Sequence, residues 1–195
     1  FDPVGREGQH LSDRWADGML NVLLASVRLW QGDSVGAITR AQHALTSMES
    51  INDGWGTIQA LVALSRALVC AGRVAEGREC VGRLRALSSS DQTALGGALG
   101  ALAAAAIEDQ VGDGARALEL LPDSVGNREV GGDEFWASRI IALVHLGRVE
   151  EAIALATRPD VATAGRTSRY LACARGYAFV ASGRLAELED VLTPT

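Results

Sequence analysis

Apolar residues recur along this chain with the period of an α-helix, and a glycine interrupts the pattern at regular intervals. Gly32 is the first of these glycines. It is expected to end one helix, and Asp33 or Ser34 is expected to cap the next. That next helix carries its apolar residues on one face, at Ala37, Ile38, Ala41, Ala44 and Leu45. The spacing predicts a helical hairpin whose small side chains let neighbouring helices approach closely.

The turn at Gly32 returns at four further glycines. Gly72, Gly112, Gly147 and Gly183 follow at spacings of 40, 40, 35 and 36 residues, each before a new helical face. Self-similarity at this period predicts an all-α solenoid, an α-α superhelix in which each hairpin packs on its neighbours. We expect about five antiparallel hairpins, ten helices in all, over residues 12–49, 52–87, 91–121, 133–157 and 166–192.

Several segments lack helical periodicity. Residues 1–11 are expected to be a linker or the end of a preceding repeat, so that the repeat domain covers residues 12–195. Residues 88–91 are expected to break one helix and cap the next, 123–132 to form a surface loop, and 159–165 to be a connector. Because the chain begins at Phe1 rather than a methionine, we expect it to be one domain of a longer protein.

Composition and charge exclude several classes of function for this chain. Hydrophobic residues are 48% and aromatic residues only 5%, with alanine and leucine tracts that favour helices over strands. The formal net charge is −6, which is a poor match for a phosphate backbone, so we expect no direct nucleic-acid binding by this segment. All 18 basic residues are arginine, which excludes a lysine-containing P-loop and Schiff-base chemistry.

The three cysteines and the hydropathy pattern predict a cytoplasmic protein. Cys70, Cys80 and Cys173 are an odd number without a disulfide pattern, and we expect buried free thiols in a reducing compartment. The longest uncharged apolar run, residues 94–107, is too short and too rich in glycine to cross a bilayer. We therefore expect no membrane association.

One sequence motif resembles that of a nucleophilic enzyme. Residues 32–36 match G-x-S-x-G, but an amphipathic helix precedes Ser34 where a hydrolase needs a buried strand, so Ser34 is interpreted as a helix cap. His10, His43 and His145 have no metal-ligand spacing with one another or with the cysteines. We therefore predict that the chain is not an enzyme and holds no cofactor or metal.

The hairpins resemble tetratricopeptide repeats. In the first hairpin Leu24 and Ala25 stand where that family has a leucine–glycine pair, and Gly32 and Asp33 fill its turn. The family's two alanines in the second helix are matched by Ala37 and Ala44. In the fourth hairpin the matching residues are Trp136, Gly147, Ala152 and Ile153. The chain departs from the pattern at Gly77 and Leu188, where the family has an alanine, and its repeats are longer.

The longer repeats resemble the divergent repeat domains of bacterial signal-transduction ATPases. In particular, they are similar to those of large ATP-binding LuxR-type transcriptional regulators and of the antibiotic regulators of actinomycetes. This resemblance implies a module that binds a protein or senses an effector within a larger transcriptional or signalling regulator. Its mechanism would be a shift of the superhelix between two arrangements when the ligand binds.

The resemblance also implies where a ligand would bind, because the first helices of such hairpins line a concave groove. From the first hairpin it places there Met19, Val22, Ser26, Leu29 and Trp30, and from the second Gln59, Val62 and Arg66. From the third it places Leu102, Ala106, Asp109 and Gln110, and from the fourth and fifth Glu134, Ile141, His145, Tyr170, Cys173 and Tyr177.

Such a groove is mainly apolar and suits a protein or peptide, or a small apolar effector. The alternative is that half of these side chains belong to the core between repeats. A second functional hypothesis is a structural domain that forms a homodimer through its end-faces. Repeat ends need polar caps, and the last predicted helix carries no such cap at Leu185, Leu188 and Leu192.

Overall fold

The computed structural model describes residues 3–91, 94–121, 132–165 and 168–188, and these residues are helical or form short turns. They contain ten α-helices and one short 3-10 turn, and no strand, so the prediction of an all-α fold is confirmed. The chain divides into two compact units, Phe1–Ala103 and Ala104–Thr195. The continuous superhelix stays a prediction.

The first unit is built from two successive helical hairpins. Its helices are α1 (Pro3–Trp30), α2 (Ser34–Ser50), α3 (Gly54–Cys70) and α4 (Val74–Asp91). Each packs on the next, and α1 also packs on α3, so the first helices of the two hairpins are neighbours. The core between them is rich in fully buried small residues: Ala25, Ala37, Ala41, Ala44, Ala60 and Ala67. Alanine at these contacts allows the close helix approach that the sequence predicts.

Helix α5 (Ala94–Gln110) contains the boundary between the two units. The helices that follow are α6 (Gly114–Leu120), α7 (Gly132–His145), α8 (Val149–Ala156), α9 (Pro159–Gly165) and α10 (Arg169–Ala181), and the 3-10 turn is Leu185–Glu187. Helix α7 is central in the second unit, because α6, α8, α9 and α10 all pack on it. Its fully buried Ile140 joins a core that includes Val161 of α9 and Leu171 of α10.

The five predicted turn glycines all have the expected backbone conformation. Their φ angles are 77° at Gly32, 77° at Gly72, 91° at Gly112, 72° at Gly147 and 72° at Gly183. At each turn the N–H of the glycine donates to the carbonyl three residues earlier, and the next N–H donates to the carbonyl five residues earlier. This pair of bonds caps the helix C-terminus with a left-handed residue, which glycine adopts at least cost.

A sixth turn of the same geometry has asparagine in place of glycine. Asn52 has φ 54°, its N–H donates to the carbonyl of Glu49, and the N–H of Asp53 donates to that of Met48. Asparagine is one of the few side chains that tolerate this region. The same cap therefore also ends α2, at the junction between the two hairpins of the first unit.

The residue after each of the five glycines is either an aspartate or an arginine. The Asp33 and Asp113 carboxylates accept hydrogen bonds from the N–H groups of Gly36 and Arg116, at 2.8 and 3.0 Å, and so cap α2 and α6. Asp33 is thus the cap, and Ser34 is the first residue of α2, which corrects the interpretation of Ser34 as a cap. In the other three turns an arginine pairs with a glutamate three residues later: Arg73 with Glu76, Arg148 with Glu151 and Arg184 with Glu187.

Three predicted boundaries are wrong. Residues 3–11 belong to α1 rather than to an irregular linker, and residues 88–91 continue α4 rather than breaking it. Pro159–Gly165 is helix α9, because a proline is well tolerated in a first helical turn, where its missing N–H has no partner to lose. The predicted helix over 185–192 begins as a 3-10 turn, and its residues after 188 lie outside the described residues. Of the predicted loop 123–132, only Gly132 is described, and it begins α7.

Candidate functional site

On α1 the predicted groove residues are divided between the protein's own core and its surface. Val22 is buried in the core of the first unit, and Leu29 packs against it from a half-buried position. Met19 and Ser26 are half-buried as well, and the Ser26 hydroxyl donates to the carbonyl of Val22. Trp30 is well exposed. The predicted groove face of α1 is therefore wrong for Val22, because α1 directs that side chain into the core it shares with α2 and α3.

The predicted positions on α3 and α5 are mostly half-buried. Gln59, Val62 and Arg66 are spaced along one side of α3, and each is partly accessible. On α5, Leu102 is buried and so is not a groove residue, whereas Ala106 and Asp109 are half-buried and Gln110 is exposed.

In the second unit the structure brings three predicted residues together. His145 on α7 lies with Nδ1 2.7 Å from Oδ1 of Asp109 on α5. The rings of His145 and Tyr177 on α10 meet edge to face, with centroids 5.7 Å apart and an interplanar angle of 76°. One side chain from each of three helices thus forms a continuous row. A carboxylate partner implies that the His145 Nδ1 carries the proton, because that oxygen can only accept.

Further predicted residues extend this row along the helices. Glu134 and Ile141 are half-buried on the same helix as His145. On α10 the exposed side chains recur at spacings of three and four residues, which places Tyr170, Cys173, Tyr177 and Val180 on one face. We call the surface formed by Asp109, His145, Tyr170, Cys173, Tyr177 and Val180 the tyrosine face. It combines two aromatic rings that carry hydroxyls with an imidazole and a carboxylate.

One cavity of the second unit was not predicted from the sequence. Between α6, α7 and α8 lies an open cavity of about 480 Å³. The guanidinium carbon of Arg158 sits 4.5 Å from the centroid of the Trp136 ring, an arrangement that is favourable between a cation and an aromatic face. The cavity is lined by Leu118, Glu119, Trp136, Arg139, Leu143, Arg148, Glu151, Leu155 and Arg158.

The charges of this cavity are paired within the protein. Arg148 donates two hydrogen bonds of 2.7 Å to Glu151, and Arg158 donates two to Asp160. Hydrogen bonds from these arginines lower the pKa of the Glu151 and Asp160 carboxyls. These carboxylates offset two of the three lining arginines, and the third, Arg139, donates to the main-chain carbonyl of Leu121. The pair of Arg148 and Glu151 could have been recognised in the sequence, because the arginine follows the turn glycine and the glutamate comes three residues later.

None of the three cysteines forms a disulfide bond, and only one of them is buried. Cys80 lies in the core of the first unit, whereas Cys70 and Cys173 are exposed, which corrects the expectation of three buried thiols. Burial is the main cause that raises the pKa of the Cys80 thiol. Exposure of Cys173 beside Tyr170 and Tyr177 adds a polarizable side chain to the tyrosine face.

Within the described residues, no group of three or more His, Cys, Asp or Glu side chains is arranged to hold a metal ion. No helix in that part of the chain is both long enough and apolar enough to cross a membrane. Comparison of the chain with protein-family models, with curated proteins and with solved structures finds no match. The all-α helical-hairpin class is therefore defined by the fold, and function has to be argued from the surfaces.

Proposed function

We propose that this chain is a helical-repeat interaction module that binds a protein segment or peptide on the tyrosine face. The observation that carries the proposal is the row from Asp109 through His145 to Tyr177. It joins side chains of α5, α7 and α10, which belong to three successive predicted hairpins. A ligand that spans the row would contact all three helices at once.

The chemistry of the tyrosine face suits a peptide better than a small polar metabolite. Tyr170 and Tyr177 are two helical turns apart, about 10 Å along the axis, so two side chains of an extended or helical segment can reach both. Tyrosine supplies large apolar contact area at low cost in side-chain entropy, together with a hydroxyl for a hydrogen bond. Asp109 adds one acceptor to this otherwise apolar and aromatic surface.

We place the module in a larger cytoplasmic regulator, on the resemblance to the tetratricopeptide-like domains of bacterial LuxR-type and related ATP-binding regulators. Binding across three helices would favour one arrangement of them over another, and the rest of the regulator would respond to that shift. An effector-sensing role would use the same face with a small apolar ligand. The mechanism needs no catalytic group.

The test is selection of peptides on the purified 195-residue chain. A displayed library of random peptides is panned on the wild-type chain, and the selected peptides are measured against Tyr177→Ala and His145→Ala. The matched control is Val35→Ala, which truncates a well-exposed apolar side chain on α2. We expect each substitution on the tyrosine face to weaken binding at least tenfold and the control to leave it unchanged. Peptides that bind all three variants with the wild-type affinity would overturn the proposal.

A further inference from the structure

Helix α1 has apolar side chains on two opposite faces. One face carries Val22 and Ala25 and is buried against the rest of the first unit. The other carries four large side chains that remain accessible: Leu20 at 54%, Leu23 at 61%, Val27 at 40% and Trp30 at 73%. We call these four residues the α1 stripe. Their spacings of three, four and three residues are those of the seam of a two-helix coiled coil.

The equivalent positions of two other hairpins are interior. When the turn glycines Gly32 and Gly72 are superposed in sequence, the first three residues of the stripe correspond to Ala60, Ala63 and Ala67 of α3, all buried. Superposing on Gly183 gives Leu171, Ala174 and Ala178 of α10, which are buried as well. In α3 and α10 the residues at these positions pack against other helices. In α1 the residues at the same positions are exposed to solvent.

The size of Leu23 distinguishes the α1 stripe from those interior faces. Its counterparts are Ala63 in α3 and Ala174 in α10, which allow a neighbouring helix to approach closely. A leucine at this position holds a partner helix further away and needs side chains that interdigitate with it. A second α1 stripe supplies side chains of that size at that spacing.

Charge and area both permit two α1 stripes to face each other. No member of the stripe is charged, so two stripes can face each other without repulsion between like charges. The four residues together expose roughly 450 Å² of mostly apolar surface, which is a large patch for a monomer. Two copies would bury at most about 900 Å², an area found in weak, transient interfaces.

We infer that the α1 stripe is a self-association surface that pairs the α1 helices of two copies of this chain. The inference does not depend on the proposed function, because the stripe lies in the first unit and the tyrosine face in the second. Because an interface of this size is typical of weak, transient complexes, we expect a dimer that dissociates at about micromolar concentration or above.

Sedimentation of the 195-residue chain over a concentration series of about 1–100 μM tests this inference. The decisive variant is Leu23→Glu, which places one buried charge from each copy in the interface. The matched control is Leu185→Glu, since Leu185 is also 61% exposed and lies on the C-terminal 3-10 turn. Leu20→Ala is a second, uncharged variant, and circular dichroism with a melting curve checks the fold of each.

We expect the wild-type chain to reach twice the monomer mass as its concentration rises. Leu23→Glu should raise the dissociation constant more than about 100-fold, Leu20→Ala about tenfold, and Leu185→Glu should leave it unchanged. A wild-type chain that stays monomeric throughout would overturn the inference. So would a dimer that persists in Leu23→Glu and dissociates in Leu185→Glu, because the contact would then lie at the C-terminal end.

Discussion

The Nδ1 atom of His145 donates a hydrogen bond to Oδ1 of Asp109 over 2.7 Å and so joins α7 to α5. The Asp109 side chain is 18% exposed and that of His145 39%, so water screens the interaction only in part. A double-mutant cycle with Asp109→Ala and His145→Ala should give a coupling free energy of about 0.5 kcal/mol in chemical denaturation.

The control pair for this cycle is His43 and Asp17, whose Nε2 and Oδ2 atoms are 3.5 Å apart and whose side chains are about half exposed. The same cycle there should give a coupling close to zero. Equal coupling at the two pairs would mean that the His145 contact has no special role in joining α5 and α7.

The turn at Gly32 should depend on backbone conformation alone. A Cβ atom added there would meet nothing within 4 Å, so Gly32→Ala adds no clash and only forces alanine into a left-handed φ of 77°. We expect it to lower the free energy of unfolding by about 1–2 kcal/mol.

Gly82→Ala is the matched control for this substitution. Gly82 also has open space around its Cβ direction, but it lies inside α4 with no positive φ. Alanine there should raise the free energy of unfolding by about 0.5–1 kcal/mol. Loss of stability in both variants would show that side-chain space, rather than the sign of φ, limits substitution at Gly32.

The buried Cys80 thiol should make the protein less stable at alkaline pH. The pKa of this thiol is raised in the folded state. The stability that the protonated thiol contributes is therefore fully present below the unfolded-state pKa and is lost as pH rises through the folded-state pKa. We expect the unfolding free energy of the wild-type chain to fall more steeply above about pH 8.5 than that of Cys80→Ala.

The same burial predicts which thiols react. Iodoacetamide at neutral pH should modify the exposed Cys70 and Cys173 rapidly and Cys80 only after denaturation, as measured by intact mass. Rapid modification of all three thiols in the folded chain would contradict the buried position of Cys80.

The pair of Arg158 and Asp160 should stabilise the second unit at neutral pH but not in acid. The hydrogen bonds from Arg158 lower the pKa of the Asp160 carboxyl in the folded state. The stability that the ionised Asp160 carboxylate contributes is therefore present above the unfolded-state pKa. It is lost as pH falls through the lower folded-state pKa. Asp160→Asn should lower the melting temperature at pH 7, and this difference should disappear below about pH 3. If Asp160→Asn lowers the melting temperature equally at both pH values, the charge of Asp160 does not contribute to stability.

The turns could be predicted from the sequence because a single residue type defines each of them. Gly32 and its four counterparts need a left-handed φ that few other residues adopt, so the glycine itself carries the information. Helix boundaries were less predictable where a segment holds residues common in turns. Pro159 is compatible both with a connector and with a first helical turn, and only packing of Val161 into the core favours the helix.

The proposed binding surface was partly predictable from the family pattern. On α7 and α10 that pattern placed His145 and Tyr177 on the surface, and both side chains are exposed. On α1 both faces are apolar, and hydrophobicity alone does not tell which one is buried. The family pattern therefore placed Val22 on the surface, while the structure exposes Leu20 and Leu23 instead.

The five glycine turns are closed by main-chain hydrogen bonds. Their closure therefore does not depend on the identity of the neighbouring side chains. The varying distance from one glycine to the next reflects in part helices of different length, such as α4 with 18 residues and α6 with 7. An engineer who wishes to transplant a hairpin should therefore cut between hairpins and leave the glycine turns whole. A cut at Gly147, for example, would separate α7 from α8 and destroy the unit being moved.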